Sequence, residues 1–322
     1  MQHVLILICK PTEPALTDAD AVAIQNAIID AGYLADAPRT LQPGVAYDIA
    51  VSAAPVNALS AGSVSAPADG PDVLFANALT VTEIAGQILN DRPVDICLIE
   101  AANRRKKLLI ADMDSTMIEQ ECIDELADYA GVREKVVGIT ERAMRGELDF
   151  EVALKERVRM LKGLSEETLG AAFRDRITFT PGGKTLIRTM SSLGAFTALV
   201  SGGFTFFTER VAGALGFSVH RANQLIVGDG RLTGDVLEPI LGRAAKEASL
   251  TSFANAENIS LSETLAVGDG ANDLAMIKAA GLGVAFHAKP SVAEAASASI
   301  SHGDLTALLF LQGISADEFV DE

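Results

Sequence analysis

The sequence predicts an α/β fold, a doubly wound parallel sheet with an inserted helical cap, preceded by a small N-terminal α+β domain. Three observations carry this expectation. First, apolar runs of strand length at residues 108–111, 195–200, 264–267 and 282–286 alternate with helical stretches such as 184–193 and 272–280. Second, a charged segment at about residues 119–176 separates the first two of these strands and has helical periodicity with no strand signal. It reads as a cap laid over the sheet edge. Third, residues 1–103 carry Asp or Glu at twelve positions against Lys10, Arg39 and Arg92, and the block ends at Arg104-Arg105-Lys106-Lys107. A boundary near residue 104 follows, giving domains 1–103 and 104–322.

Within the first block, residues 4–8 read as a strand and 18–31 as a helix with Ala19, Ala23, Ile24, Ala27 and Ile28 on one face, closed by Gly32. Residues 47–53 and 94–99 are further strands with a helix at 81–90 between them. Residues 61–71, rich in Ser, Gly and Pro, read as a loop. In the second block, residues 225–237, with Gly228-Asp229-Gly230 at the turn, form a hairpin. Residues 243–256 form a helix.

A formal net charge of −17 argues against a nucleic-acid partner, which requires a basic face. It leaves a small phosphate substrate open, because anion binding in a pocket depends on local donors and a metal. No apolar run approaches the ~20 residues needed to cross a bilayer. Residues 1–4 lack a basic n-region, and Cys9, Cys97 and Cys122 are scattered without metal-ligand spacing. A cytoplasmic protein with reduced thiols is expected, none of them catalytic.

The chemistry is concentrated after strand ends. Asp112-Met113-Asp114-Ser115-Thr116 places two carboxylates one residue apart just beyond the buried strand 108–111. In doubly wound sheets ligands bind beyond the carboxyl ends of strands, so both acids reach the mouth of a site. A turn or helix cap would use the same residue types. Gly268-Asp269-Gly270-Ala271-Asn272-Asp273 delivers two more acids from another strand end, and four carboxylates make an oxygen-ligand site suited to Mg²⁺. Ser201-Gly202-Gly203 ends the intervening strand before a helix, where a hydroxyl and backbone N–H groups can face an anion. Lys246 lies in the helix at 243–256.

This ordered set resembles the four motifs of the haloacid dehalogenase superfamily, and within it the phosphoserine phosphatases. The resemblance runs from about residue 104 onward. It implies that Asp112 is the nucleophile and that Asp114 protonates the leaving alcohol and then deprotonates the water. It further implies Mg²⁺ held by Asp112, the backbone carbonyl of Asp114, and Asp269, with Asp273 orienting from behind. Ser201, Gly202 and Lys246 would stabilise the transferring phosphoryl group and Asn272 would complete the loop.

In the cap, residues 121–126, 143–151 and 157–161 resemble the phosphoserine phosphatase cap. That likeness implies Glu121 for the substrate ammonium, Arg157 for its carboxylate, and Met144 and Phe150 as an apolar lid. The implied reaction is hydrolysis of O-phospho-L-serine as the last step of serine biosynthesis. The first domain looks like the small amino-acid-binding ACT domains, which implies an amino-acid effector or a role in homodimer formation.

Two other readings use the same residues. A related phosphatase or phosphotransferase acting on another phosphomonoester would share the core motifs and differ in the cap. A non-catalytic sensor would be expected to lack Asp114, Lys246 or part of the final acidic motif, and all are present.

Overall fold

The computed structural model describes residues 2–53, 72–144 and 147–321, with backbone alone at 72–79, 141, 143 and 144. The loop expected at 61–71 lies outside the described residues. Two compact units result: Met1–Arg105 with Ala298–Phe319, and Lys106–Ser297 with Val320–Glu322.

The first unit is built from β1 (His3–Cys9), α1 (Asp18–Asp30), β2 (Tyr33–Ala35), β3 (Arg39–Gln42), β4 (Ala46–Ala53), α2 (Asp72–Leu89) and β5 (Val94–Glu100). Its antiparallel strands run in the order β2-β4-β1-β5, with β3 on β4. Thr17 caps α1 in a reciprocal pair with Asp20, satisfying donors that the first turn leaves free. The buried face of α1 is Ala21, Ile24 and Ile28, whereas Ala19 and Ala23 are exposed. This corrects the expected face. The helix is apolar on most sides, so its large residues fix the face, and Ala21 shares it because it lies three positions before Ile24.

The C-terminal segment, with strand Ala298–Ile300 and helix Ala307–Leu311, groups with this unit and is held by two charged side chains. The buried Asp95 carboxylate on β5 accepts the backbone N–H groups of Ser301, His302 and Gly303 at 2.8–3.2 Å. Arg104 donates from Nε to the Leu311 carbonyl (2.7 Å), from Nη2 to the Phe310 carbonyl (3.0 Å), and from Nη1 to Asp48 Oδ2 (2.6 Å). Arg39 makes a second, two-pronged contact with Asp48. The basic run at 104, expected to mark a boundary, therefore begins with a brace inside the first unit.

The second unit starts with β6 (Leu108–Ala111). The cap follows as α3 (Cys122–Tyr129), α4 (Arg133–Met144), α5 (Phe150–Met160) and α6 (Glu166–Arg176). Then come α7 (Gly183–Ser192), β7 (Phe196–Phe204), α8 (Thr205–Leu215), β8 (Val219–Asn223), the hairpin β9 (Leu225–Gly228) and β10 (Arg231–Val236), α9 (Arg243–Ala256), β11 (Thr264–Gly268), α10 (Leu274–Ala279) and β12 (Leu282–Phe286). The parallel strands lie in the order β12-β11-β6-β7-β8. β6 is central and the chain leaves it in one direction, then returns on its other side, so the point where strand order reverses lies at the end of β6.

Pairing of Ala111 with Val267 and with Leu199 brings the carboxyl ends of β6, β11 and β7 to one edge. Leu108, Ile110, Ala198, Val200 and Ala266 pack under Leu250 and Phe253 of α9 and Met276 of α10. Burial on both faces explains why these strands read as continuous apolar runs. Among the described residues no helix is long and apolar enough to cross a membrane.

Burial alone would raise the Asp48 carboxyl, but the guanidiniums of Arg39 and Arg104 override it and hold the group below the usual carboxylate range. Asp48→Ala would leave the largely buried Arg104 without its counter-charge, an expected loss of about 3–5 kcal/mol near pH 7. A carboxyl with a lowered folded pKa stabilises above its unfolded value of about 3.9 and loses that contribution as pH falls through the folded value. Urea unfolding is therefore expected to show the gap between wild type and Asp48→Ala narrowing below about pH 4. An equal gap at pH 7 and pH 2.5 would refute the electrostatic origin.

Candidate active site

β6 ends at Ala111, and one more ladder bond, Asp112 N–H to the Val267 carbonyl (3.0 Å), carries Asp112 to the edge before the chain turns. Asp112 is buried and its carboxylate accepts the Met113 N–H at 2.8 Å. The turn that follows puts Ser115 in the left-handed region at φ 54°, an uncommon place for a residue with a Cβ. Asp114 reaches the cavity, while the Ser115 hydroxyl donates to Glu121.

Asp114 Oδ1 accepts the Cys122 N–H at 3.1 Å at the start of α3, while Oδ2 lies 3.5 Å from Ser201 Oγ. A Cβ on Gly203 would sit 2.7 Å from Asp114 Oδ2, so the loop after β7 approaches this closely only because residue 203 is glycine. Burial, then the charge of Glu121, pushes the Asp114 carboxyl well above the usual range. A protonated carboxyl is what a general acid requires.

Lys246, 1% exposed on α9, bridges two acids, Asp112 Oδ2 at 2.7 Å and Asp273 Oδ1 at 2.6 Å. Burial alone would lower its ammonium, but the charges of Asp112 and Asp273 outweigh this and raise it. Gly268 and Gly270 permit the tight loop after β11, since a Cβ on either would overlap the side chains of Asp273 or Asn272. Asn272 Nδ2 lies 3.5 Å from Asp112 Oδ2, and Asp273 Oδ2 accepts the Gly270 N–H at 3.1 Å.

Oxygens of Asp112, Asp269 and Asp273 all fall within 4.8 Å of one another. Burial followed by the neighbouring Asp112 charge pushes Asp269 up to about 8 and Asp273 up to about 7. Like charges this close resist ionisation unless a cation joins them, and an all-oxygen donor set suits Mg²⁺. Asp273 already gives one oxygen to Lys246 and the other to Gly270, so it is the acid least free to bind an ion. Asp269 is free for that role.

The cap closes a cavity of about 390 Å³ over these groups. Glu121 immediately precedes α3, and Ser115 Oγ donates to its Oε1 at 2.7 Å. Burial raises the Glu121 carboxyl, opposed by the Ser115 hydrogen bond. Arg157 enters from α5, donating from Nε to the Ala153 carbonyl and from Nη1 to Thr140 Oγ, both at 3.2 Å. Among the described residues no carboxylate lies within ion-pair distance of it, and burial lowers its guanidinium below the usual value.

Phe150 packs its ring on two glycines: a Cβ would approach it to 3.2 Å from Gly202 and 3.4 Å from Gly242. Met144 ends α4, and its side chain lies outside the described residues. The cavity thus gathers Asp112, Asp114, Glu121, Phe150, Arg157, Ser201, Gly202, Asp269 and Asn272, with Lys246 and Asp273 just behind it. Sequence reading assigned nothing to Ser115 and Thr140, the hydroxyls that hold Glu121 and Arg157. Their only signals were membership of the first acidic motif and a place one helical turn before Met144.

Comparison with known proteins shows the family. The family profile of haloacid dehalogenase-like hydrolases matches residues 109–278, more than half of the chain. The chain belongs to that family. Among curated members of the haloacid dehalogenase-like family, a phosphoserine phosphatase of Streptomyces coelicolor is 46% identical over 227 residues, 70% of this chain. The match spans 55% of the length of that relative. A phosphoserine phosphatase of Methanocaldococcus jannaschii is 45% identical over 206 residues, covering 64% of this chain and 97% of that one. The crystal structure of a haloacid dehalogenase family hydrolase from Salmonella enterica serovar Typhi superposes with a TM-score of 0.76 at 29% identity, covering 96% of this chain and 98% of that one.

The crowded acids make a thermodynamic test of metal binding possible without assaying turnover. Mg²⁺ at about 100 times its dissociation constant is expected to stabilise the protein by about 2.7 kcal/mol. Calorimetry should record this as a rise of several degrees in Tm. Asp269→Asn is expected to raise the Tm of the metal-free protein and to lose most of the Mg²⁺-induced rise. A full Mg²⁺ shift in that variant would remove Asp269 from the metal site.

Proposed function

We propose that this protein is a Mg²⁺-dependent phosphatase that hydrolyses O-phospho-L-serine to L-serine and phosphate through a phosphorylated Asp112. The observation that carries the substrate is Arg157. It is a largely buried cation that makes no ion pair within 4 Å among the described residues, in a cavity that also holds a buried acid, Glu121, and the Asp112 carboxylate. A buried unpaired charge is costly, so its retention makes sense where a ligand supplies the opposite charge. Phosphoserine offers a carboxylate for Arg157, an ammonium for Glu121 and a phosphoryl group for the floor. The names of the curated relatives support the same reading.

In this mechanism an Asp112 oxygen attacks phosphorus as the bond to the serine oxygen breaks, and protonated Asp114 gives its proton to the departing alkoxide. Asp114, now ionised, takes a proton from water as that water attacks phosphorus, releasing phosphate and regenerating Asp112. Lys246, Ser201 Oγ and the Gly202 N–H stabilise charge on the phosphoryl oxygens. Asn272 positions the Asp112 carboxylate, and Phe150 with Met144 excludes water from above. Asp112, Asp269 and the Asp114 carbonyl would hold Mg²⁺, which supplies neutralising charge between carboxylate and phosphate. Asp273 fixes Lys246 and the loop.

The first unit has a βαβββαβ order and an antiparallel sheet, which supports an ACT-like domain that binds an amino-acid effector or joins two copies. The proposed setting is the final step of serine synthesis in the cytoplasm.

Phosphate release should be fastest from phosphoserine when it is compared with sugar and nucleotide monophosphates. Arg157→Ala is expected to reduce kcat/KM for phosphoserine by roughly 30-fold to several thousand-fold, the equivalent of about 2–5 kcal/mol for a desolvated charge pair. Hydrolysis of a small aryl phosphate, which has no carboxylate, should fall far less. Equal losses on both substrates would assign Arg157 to phosphate binding or folding instead.

A further inference from the structure

Arg157 is useful for recognition only if its fork is held in place while its charge stays available. The guanidinium has five N–H donors in a rigid plane, and the orientation of that plane decides whether it meets a carboxylate with two parallel bonds. Two contacts set the plane here. Nε donates to the Ala153 carbonyl one turn back on α5, which tethers the stem, and Nη1 donates to Thr140 Oγ on the neighbouring helix α4. The Thr140 hydroxyl spends its proton on the Val136 carbonyl at 3.1 Å, so a lone pair is what it presents to Arg157. Thr140 itself lines the cavity.

We propose that Thr140 is a positioning residue, a neutral anchor that fixes the Arg157 guanidinium for the substrate carboxylate without consuming its charge. The neutrality is the point. An Asp or Glu at position 140 would hold the fork as firmly, but it would pair with Arg157 internally and compete with the carboxylate of the ligand. Threonine contributes an acceptor and no charge, and its branched Cβ restricts χ1 within a helix, so the oxygen is held in few directions. Ser115 does the equivalent for Glu121, donating to Oε1 from a neutral hydroxyl. Each recognising group is thus held by a hydroxyl, and neither makes an ion pair within 4 Å among the described residues.

This inference rests on the reading of Arg157 as the carboxylate-binding group, and a double-mutant cycle separates the two. Thr140→Val keeps the branched shape and removes the oxygen, while Thr140→Ser keeps the oxygen. With Mg²⁺ present, Thr140→Val is expected to raise KM for phosphoserine on the order of 10-fold, as for loss of one hydrogen bond to a charged group, with kcat changed less than threefold. Thr140→Ser should recover most of the loss, and aryl phosphate hydrolysis should change little in either variant. In the Arg157→Ala background, Thr140→Val should add no further loss.

Thr140→Glu supplies an independent arm, expected to abolish the preference for phosphoserine over the aryl substrate. Comparable losses of Thr140→Val on both substrates, the same loss with Arg157 absent, or an unchanged KM would each overturn the positioning role. If Arg157→Ala alone fails to discriminate the substrates, the carboxylate reading falls first, and the Thr140 proposal falls with it.

Discussion

The site depends on charge crowding at the end of β6. Four carboxylates, on Asp112, Asp114, Asp269 and Asp273, converge where a parallel sheet delivers strand ends, and among the described residues only Lys246 is close enough to pair with two of them. Each acid solves the crowding differently. Asp112 and Asp273 share the ammonium, Asp114 is pushed toward its protonated form, and the Asp269 carboxyl is pushed up to about 8. The different environments of the four follow from which partner each carboxylate finds. They do not follow from residue type, since all four are aspartates.

The rest of the second unit serves that crowding. Strands buried on both faces hold the edge rigid, and glycines at 203, 268 and 270 let loops approach where any side chain would collide. Phe150 then covers the site against Gly202 and Gly242. Excluding water in this way strengthens every remaining electrostatic interaction, including those of Arg157 and Glu121.

The parallel sheet and the acidic loops were legible in the sequence because they depend on local pattern: apolar runs of strand length followed at once by Asp and Gly. β2, β3 and β8 were not. They are three to five residues long, and Val219–Asn223 ends in a polar but buried Asn223, so none shows alternation or a continuous apolar run. The attachment of Ala298–Phe319 to the first unit was hidden because Asp95 and Arg104 grip backbone N–H and carbonyl groups, which every residue possesses. Ser115 and Thr140 were missed for a related reason. A hydroxyl has many partners open to it, and tertiary geometry alone selects one.

The most direct measurement concerns the covalent intermediate. Reaction with ³²P-labelled phosphoserine, quenched in acid within milliseconds and followed by reductive labelling and peptide mapping, identifies the residue that carries the phosphoryl group. Label on Asp112, absent from Asp112→Asn and persisting longer in Asp114→Asn, is the expected result. Label on another residue, or full turnover by Asp112→Asn, would contradict the assignment of Asp112 as nucleophile.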